Sequence, residues 1–293
     1  MRGVPAPAPP SVLPDITLRQ LEYLVAVADA PTWSVAADRV GVSASALSQG
    51  LSELERRVGV TLFEPDGRRR VLRDAARPVL DHARQVVSLT HDLVDWSERV
   101  RSARSGTVRL GMVDVAAVEH YPDVLRRFRS DRPDVDLMLS VAPSADLLAD
   151  LRSGALDLIV CVDPPDWPAG VDVEPLLDEP IVVFAPSGAR IGAPGEWGPW
   201  VVFPADSHTR HQIMAHLAER GAPRTVVAES HQANVLCQMV ELGLGWTVLP
   251  ESAADPALTR GPTLLDRRLV LARRAGSVHD PAADALAHLL RSA

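Results

Sequence analysis

The sequence predicts an α/β protein in two parts. A short N-terminal part of all-α type closes with a hairpin, a larger part alternates strands and helices, and one long helix joins them. Three observations predict it. Residues 16 to 73 carry short apolar-periodic helices and one paired-strand signal. Residues 74 to 104 contain no glycine and repeat apolar residues every seven positions. From Thr107 onward, strand-like and helix-like segments alternate.

Length and charge narrow the classes. A chain of 293 residues with 46% hydrophobic and 23% charged content builds two or three domains with ordinary cores. The net charge of -8 excludes a chain that coats nucleic acid along its whole length. Through Ser105, however, 14 Arg face 13 acidic residues, whereas 16 Arg face 25 acids beyond it. Any contact with DNA is therefore expected in the first third. Every basic residue is Arg. No apolar run approaches the roughly 18 residues that span a bilayer. Arg2 is followed by the Pro/Ala run Pro5 to Pro10 rather than an apolar signal core, so residues 1–15 read as a flexible tail. A cytoplasmic protein without membrane contact is expected. Cys161 and Cys237 each sit in an apolar run and read as buried free thiols. No Cys/His cluster has metal-ligand spacing, so neither metal nor cofactor is expected.

The elements follow in order. Leu18, Leu21, Leu24, Val25 and Ala28 recur at helical spacing, with Thr17 as N-cap and Pro31 as terminator. A short helix follows over Ser34 to Val40, with Ala36 and Ala37 as small packing residues. Gly41 interrupts, and Ser43 caps a helix over Ala44 to Val58 whose stripe is Leu47, Leu51, Leu54 and Val58. Helix, three-residue turn, helix is the helix-turn-helix arrangement. Thr61 to Glu64 and Arg68 to Leu72 flank Pro65-Asp66-Gly67, which predicts a hairpin wing with Arg68, Arg69, Arg70 and Arg73 at its tip. From Asp74 to about Arg104, Val79, Val86, Leu93 and Val100 are spaced by seven. Leu80, Val87 and Val94 run beside them, and Ala76, Ala83, Thr90 and Ser97 complete the seam. A heptad seam on an isolated helix wants a partner helix, so Val79, Val86, Leu93 and Val100 are the expected dimer contacts.

Beyond the break at Ser105-Gly106, strands are predicted at Thr107–Met112, Val135–Val141, Leu156–Val162, Pro180–Ala185, Trp200–Phe203, Arg224–Ala228 and Trp246–Leu249. Two more lie near Leu264 and at Arg268–Ala272. Helices are predicted at Pro122–Arg129, Ala145–Ser153, His211–Arg220, Ala233–Leu242 and Pro281–Arg291. Such alternation predicts a mainly parallel sheet covered by helices, in a segment long enough for two lobes.

The stretch Leu18-Arg19-Gln20-Leu21-Glu22-Tyr23-Leu24 resembles the opening helix of the LysR-type transcriptional regulators. Trp33-Ser34-Val35-Ala36-Ala37, Val42-Ser43-Ala44-Ser45-Ala46-Leu47-Ser48, Glu53-Leu54-Glu55 and Leu62-Phe63-Glu64 follow at that family's spacing. So do Leu148 to Ile159, Glu174-Pro175-Leu176 and the Gly243 to Pro250 run. The resemblance covers about residues 16 to 291. It implies a winged helix-turn-helix (16–73), a dimerising linker helix (74–105) and a two-lobed, Rossmann-like sensor similar to type 2 periplasmic binding proteins (106–293). Lobe I would take about 106–180 and 266–293, and lobe II about 181–265. It further implies binding of promoter DNA and a small-molecule effector, a homodimer that can pair into a homotetramer, and RNA polymerase as a further partner. The chain departs from the family where Ala44-Ser45 replaces a usual Gln-Pro, where Gln49-Gly50 follows Ser48 in place of Arg or Lys, and at Arg73, where a Thr usually caps the linker helix.

On this reading Ser34, Ser43, Ala44, Ser45, Ser48 and Gln49 are placed for DNA. Polar side chains near the start of a recognition helix reach base edges, and its N-terminus suits a phosphate. Arg68, Arg69 and Arg70 suit phosphate or minor-groove contacts. In two-lobed α/β binders, ligands sit between lobes at strand ends and helix starts. Val113-Asp114-Val115, Ser207-His208-Thr209 and Ser230-His231 occupy such places and are the expected effector contacts. Ser207 and Thr209 suit a carboxylate, Asp114 an amine, hydroxyl or cation, and His208 and His231 would make affinity pH-dependent. An enzyme is not expected, because no G-x-S-x-G, metal motif or phosphate-binding loop is present. Two alternatives stay open: a solute-binding protein with vestigial DNA binding, and a thiol redox-sensing regulator.

Overall fold

A computed structural model describes residues 15–66, 69–102, 106–277 and 280–293. The chain divides into two compact units at Thr90/His91. The tail before Asp15, the hairpin turn Gly67-Arg68 and the break at Ser105 lie outside the described residues.

In the first unit, α1 (Leu18–Asp29), α2 (Trp33–Arg39) and α3 (Ala44–Val58) precede a hairpin of β1 (Phe63–Asp66) and β2 (Arg69–Leu72). Each helix starts on a hydroxyl. The Thr17 hydroxyl accepts from the Gln20 amide while the Gln20 side chain accepts from the Thr17 amide, a reciprocal capping box. Thr32 caps α2, which therefore opens at Trp33 rather than Ser34. Ser43 caps α3. Gly41 turns the chain between α2 and α3 with φ +67°, a left-handed conformation that glycine adopts at least cost. The three helices close on Leu24, Ala36, Ala37, Leu47, Leu51 and Leu54, all buried. A side chain on Gly50 would place its Cβ 2.7 Å from the Tyr23 ring, so glycine lets α1 and α3 approach. Glu55 Oε1 accepts from the Leu62 and Phe63 amides at 2.8 and 3.2 Å and fastens α3 to the hairpin.

The hairpin corrects one expectation. Phe63 pairs with Leu72 at the base and Asp66 with Arg69 at the turn end, so Arg73 lies at the base and not at the tip. It pairs there with Glu64 at 3.3 Å.

A short 3-10 turn (Asp74–Ala76) leads into α4 (Arg77–Ser102), 26 residues or about 39 Å of helix. The heptad pattern on α4 has two meanings. Ala76, Leu80 and Ala83 belong to the first unit's own core, with Val79 partly packed against it. Ala76 and Ala83, which completed the seam in sequence, are thus packing residues of the first unit itself. Val86 is half-buried. Farther along, Leu93 is 53% exposed, with Val94 and Trp96 also exposed. The Val100 side chain lies outside the described residues.

The second unit contains a six-stranded sheet of order β4-β3-β5-β10-β6-β9: β4 (Asp136–Val141), β3 (Thr107–Met112), β5 (Leu158–Val162), β10 (Thr259–Arg274), β6 (Val171–Ala185) and β9 (Thr247–Pro250). β7 (Trp200–Val202) and β8 (Val226–Glu229) form a parallel pair. Only β4, β3 and β5 run parallel in the large sheet; the other ladders are antiparallel. The expected mainly parallel sheet is therefore a mixed one. The cause is the pair of long strands β6 and β10, which run antiparallel through most of their length. The strand signals near Leu264 and at Arg268–Ala272 are one continuous strand, and the signal at Pro180 begins at Val171. Prolines interrupt a strand pattern because they cannot donate to a ladder. Here the ladder accommodates Pro175 with a bulge: Leu269 pairs with Leu177 and Val270 with Pro175.

These two strands pass between two cores. One contains Val108, Leu110, Ile159, Leu269, Leu271 and the inner face of α9 (Pro281–Arg291), with α5 (Pro122–Asp131) and α6 (Ser144–Ser153) around it. The other contains Ile181, Val183, Trp200, Leu236 and Leu264, with α7 (His208–Glu219) and α8 (Ala233–Glu241). One π-helical turn (Ala116–His120) follows β3. At the end of β10, buried Arg274 donates to the carbonyls of Leu151 and Leu156 and grips both carboxylate oxygens of Asp92 on α4, at 2.7 and 3.3 Å. Among the described residues no helix is long and apolar enough to cross a membrane.

Candidate DNA surface and effector cavity

In the first unit the outer face of α3 presents Ala44, Ser45 and Gln49 to solvent, with Ser48 half-buried and Ser34 exposed on α2. The Ser43 hydroxyl is engaged: it accepts from the Ala46 amide at 3.2 Å and lies 2.9 Å from the Ser45 hydroxyl. The two arginines on α3 are held intramolecularly. Glu53 accepts from Arg56 and Arg57, and Arg57 also pairs with Asp15 at 3.0 Å. Those hydrogen bonds, Arg56 first, hold the Glu53 carboxyl down at about 2. The exposed start of the helix thus offers hydroxyls and one amide, and its arginines are already paired. The Arg70 guanidinium stacks over the Trp33 ring, 5.5 Å from its centroid, so hairpin and α2 are joined by a cation-π contact. Arg68 and the Arg69 side chain lie outside the described residues.

In the second unit a cavity of about 430 Å³ lies between the two cores. Of the eight predicted effector residues it brings together Val113, Asp114, Ser207, His208, Thr209 and His231. Two do not line it. Val115 is buried in the first core, because the backbone turns into the π-helix there. Ser230 instead accepts from the Gln232 amide at 3.1 Å. The Asp114 carboxylate accepts from the Val115 amide at 2.8 Å and reaches the Ala233 amide, at the start of α8, at 3.5 Å.

Residue spacing missed the most buried charge in the wall. Arg267, on β10, has its side chain 6% exposed; Nε donates to Glu179 Oε1 at 2.6 Å and Nη1 to the Thr209 hydroxyl at 3.1 Å. Glu179 Oε2 lies 2.9 Å from His120 Nε2. Burial pushes the Glu179 carboxyl up, but the bond to His120 and the Arg267 guanidinium outweigh that and hold it below its ordinary value. Trp167, Phe203 and Leu148 supply apolar wall. Cys161 also lines the cavity, yet it is buried, and burial pushes its thiol up to about 12.

Sequence families agree with this architecture. The family described as "Bacterial regulatory helix-turn-helix protein, lysR family" matches residues 18–77, and the family described as "LysR substrate binding domain" matches residues 101–293. The chain belongs to the LysR family. Like other LysR-type regulators, it couples a DNA-binding helix-turn-helix to an effector-binding domain. It is similar to the "Probable hydrogen peroxide-inducible genes activator" of Streptomyces viridosporus, 31% identical, over 94% of each chain. It is also similar to the regulator IlvR of Caulobacter vibrioides, 28% identical, over 94% of this chain and 96% of that one. Among solved structures, a full-length OxyR variant from Pseudomonas aeruginosa shares the fold with a TM-score of 0.63 at 24% identity, covering 94% of this chain and 98% of that one. The LysR-family regulator CbnR, complexed with its target DNA, shares it at 0.57 and 19%, covering 94% and 99%. These relatives are regulators of transcription.

Proposed function

We propose that this LysR-family protein is a cytoplasmic, non-enzymatic regulator that reads promoter DNA with α3 and the wing, and changes its DNA-bound form when a small molecule fills the cavity. The observation that carries the reading is the cavity itself: apolar walls and a few convergent polar groups on a chain that also carries the helix-turn-helix. Ser45, Ser48 and Gln49 read bases, the start of α3 and the wing arginines contact phosphate, and two copies pair along α4 through Val86, Leu93 and neighbours. Pairs of dimers and contact with RNA polymerase belong to the same reading, as does effector binding that shifts a pre-existing equilibrium between two forms.

Peroxide sensing through a thiol, suggested by the name of the Streptomyces relative, needs an accessible thiolate. Cys161 and Cys237 are both buried, and burial raises both thiols, which favours a ligand in the cavity over sulfur chemistry.

Fluorescence anisotropy tests the reading, with the intergenic fragment upstream of the gene against a scrambled duplex at two salt concentrations. Tighter binding to the intergenic fragment is expected, with log affinity falling by about 0.9 per phosphate contact for each unit of log salt. Gln49→Ala should erode the preference for the intergenic fragment. Equal binding to both duplexes, or a salt slope near zero, would refute DNA reading by α3 and the wing.

A further inference from the structure

We infer that the cavity takes a zwitterion, a small molecule with both a carboxylate and an ammonium group and an apolar body, of which an apolar α-amino acid is the simplest case. The inference rests on the effector reading above and names the ligand class.

Two charged groups in the wall have unused capacity. Arg267 spends Nε on Glu179 and Nη1 on Thr209, and among the described residues no hydrogen bond occupies its Nη2. A guanidinium that is nine-tenths buried, lines a cavity and keeps one edge unmet suits an anionic oxygen. The first turn of α7, capped by Ser207, adds backbone donors and the favourable dipole end on the same side as Thr209. On the other wall, half-buried Asp114 accepts only from backbone amides, one of them at 3.5 Å, and among the described residues no cation pairs with it. Half-buried and facing the cavity, that carboxylate keeps accepting capacity that an ammonium group would fill with a charge-assisted hydrogen bond.

The charge balance selects between ligand types. Glu179 already neutralises Arg267, and half-buried Asp114, with Asp146 and Asp206 at the exposed rim, leaves the lining with more carboxylates than guanidinium groups. A simple carboxylic acid would bring a further negative charge into that surrounding. A simple amine would satisfy Asp114 and leave Nη2 unmet. A zwitterion answers both walls and adds no net charge. Trp167, Phe203 and Leu148 would receive its apolar body. His208 and His231 also line the cavity, so the pH of the assay is held fixed.

The test uses the full-length protein and three matched panels: the standard L-amino acids, the amines left when each loses its carboxyl, and the acids left when each loses its amino group. At least one apolar amino acid should raise the melting temperature, while its amine and acid counterparts do not. Asp114→Asn should weaken that amino acid by roughly tenfold to a hundredfold, the range for one lost charged hydrogen bond. Because Arg267→Met alone would leave buried Glu179 with His120 but without its guanidinium, the paired variant Arg267→Met/Glu179→Met is the companion. It should fold, lose the preference for the amino acid, and bind the amine equally well. An amine or an acid that outperforms every amino acid overturns the proposal. If no panel member acts but a metabolite extract of the producing cells alters the DNA footprint, the ligand class is wrong and the regulator reading stands. If neither acts, the sensor reading fails with it.

Discussion

Replacing Arg274 by Met should loosen the second unit more than any single surface change. The Arg274 side chain is 4% exposed and makes four hydrogen bonds, two to Asp92 and two to the carbonyls of Leu151 and Leu156. Breaking a buried ion pair by removing one partner costs about 3–5 kcal/mol, because the other charge is stranded. Asp92 is 14% exposed and regains some water, which argues for the lower half of that range. The two carbonyls lose their arginine donor and add about 1 kcal/mol or more. A net loss of about 4 kcal/mol follows, and with a urea slope of about 2–3 kcal/mol/M the midpoint should fall by roughly 1.5 M. Asp92→Asn should cost less, about 1–2 kcal/mol, because Arg274 keeps both carbonyls and the amide oxygen still accepts. Tryptophan emission reports the transition, since Trp167, Trp197, Trp200 and Trp246 all lie in the second unit. A midpoint shift under about 0.3 M for Arg274→Met, or equal loss for both variants, would refute the assignment of Arg274 as the buried clasp on α4.

Two further outcomes follow from titratable groups packed inside the second unit. Glu179 is held below its unfolded value, so it stabilises the fold above about pH 4.5, and that contribution is lost as pH falls through its folded value. Asp157 is raised by burial and acts in the opposite sense, favouring the fold as pH falls. Acid melts of the wild type and Glu179→Gln should therefore converge below pH 4.5, and parallel curves across that range would contradict the buried network. The thiols should be inert: with Cys161 near 12, only about one part in ten thousand is thiolate at pH 8. Thiol titration of the native protein should be slow and should complete at two equivalents in denaturant; rapid reaction of one native equivalent would revive the redox reading.

The first unit was legible because its instructions are local. Thr17 with Gln20, and Ser43 before the Leu47-Leu51-Leu54 stripe, each lie within a few residues of what they cap or pack. The alternating elements of the second unit were legible for the same reason. Pairing was not. Strand polarity depends on which strands become neighbours, and nothing in the local pattern of Val171–Ala185 announces an antiparallel partner at Thr259–Arg274. The seam of α4 misled because an alanine spaced for a partner helix looks like one spaced for its own domain; Ala83 packs at home while Leu93 stays exposed. In the cavity, Asp114, Ser207 and Thr209 could be found from strand ends and helix starts. Arg267 could not, since its charge partner Glu179 is 88 residues away and its own strand read as two. The one hint was a pair of arginines between Leu265 and Leu269, more basic than a solvent loop of an acidic domain requires.

The two long strands also set an order on the ribosome. The core that contains Ile159 and Val160 is completed by Leu269 to Leu290, so it waits while all of Ile181 to Leu264 is made. At about 5–20 residues per second that wait is on the order of ten seconds. Until β10 arrives, β5 is an edge strand whose five residues are all destined for burial, a surface that other chains can pair with. The later-made core, continuous in sequence, can close first and shelter the nascent chain only in part. Overproduction that crowds ribosomes on one message should thus favour aggregates seeded at Leu158–Val162, and sparser initiation on the message, which keeps the exposed edges apart, should relieve them.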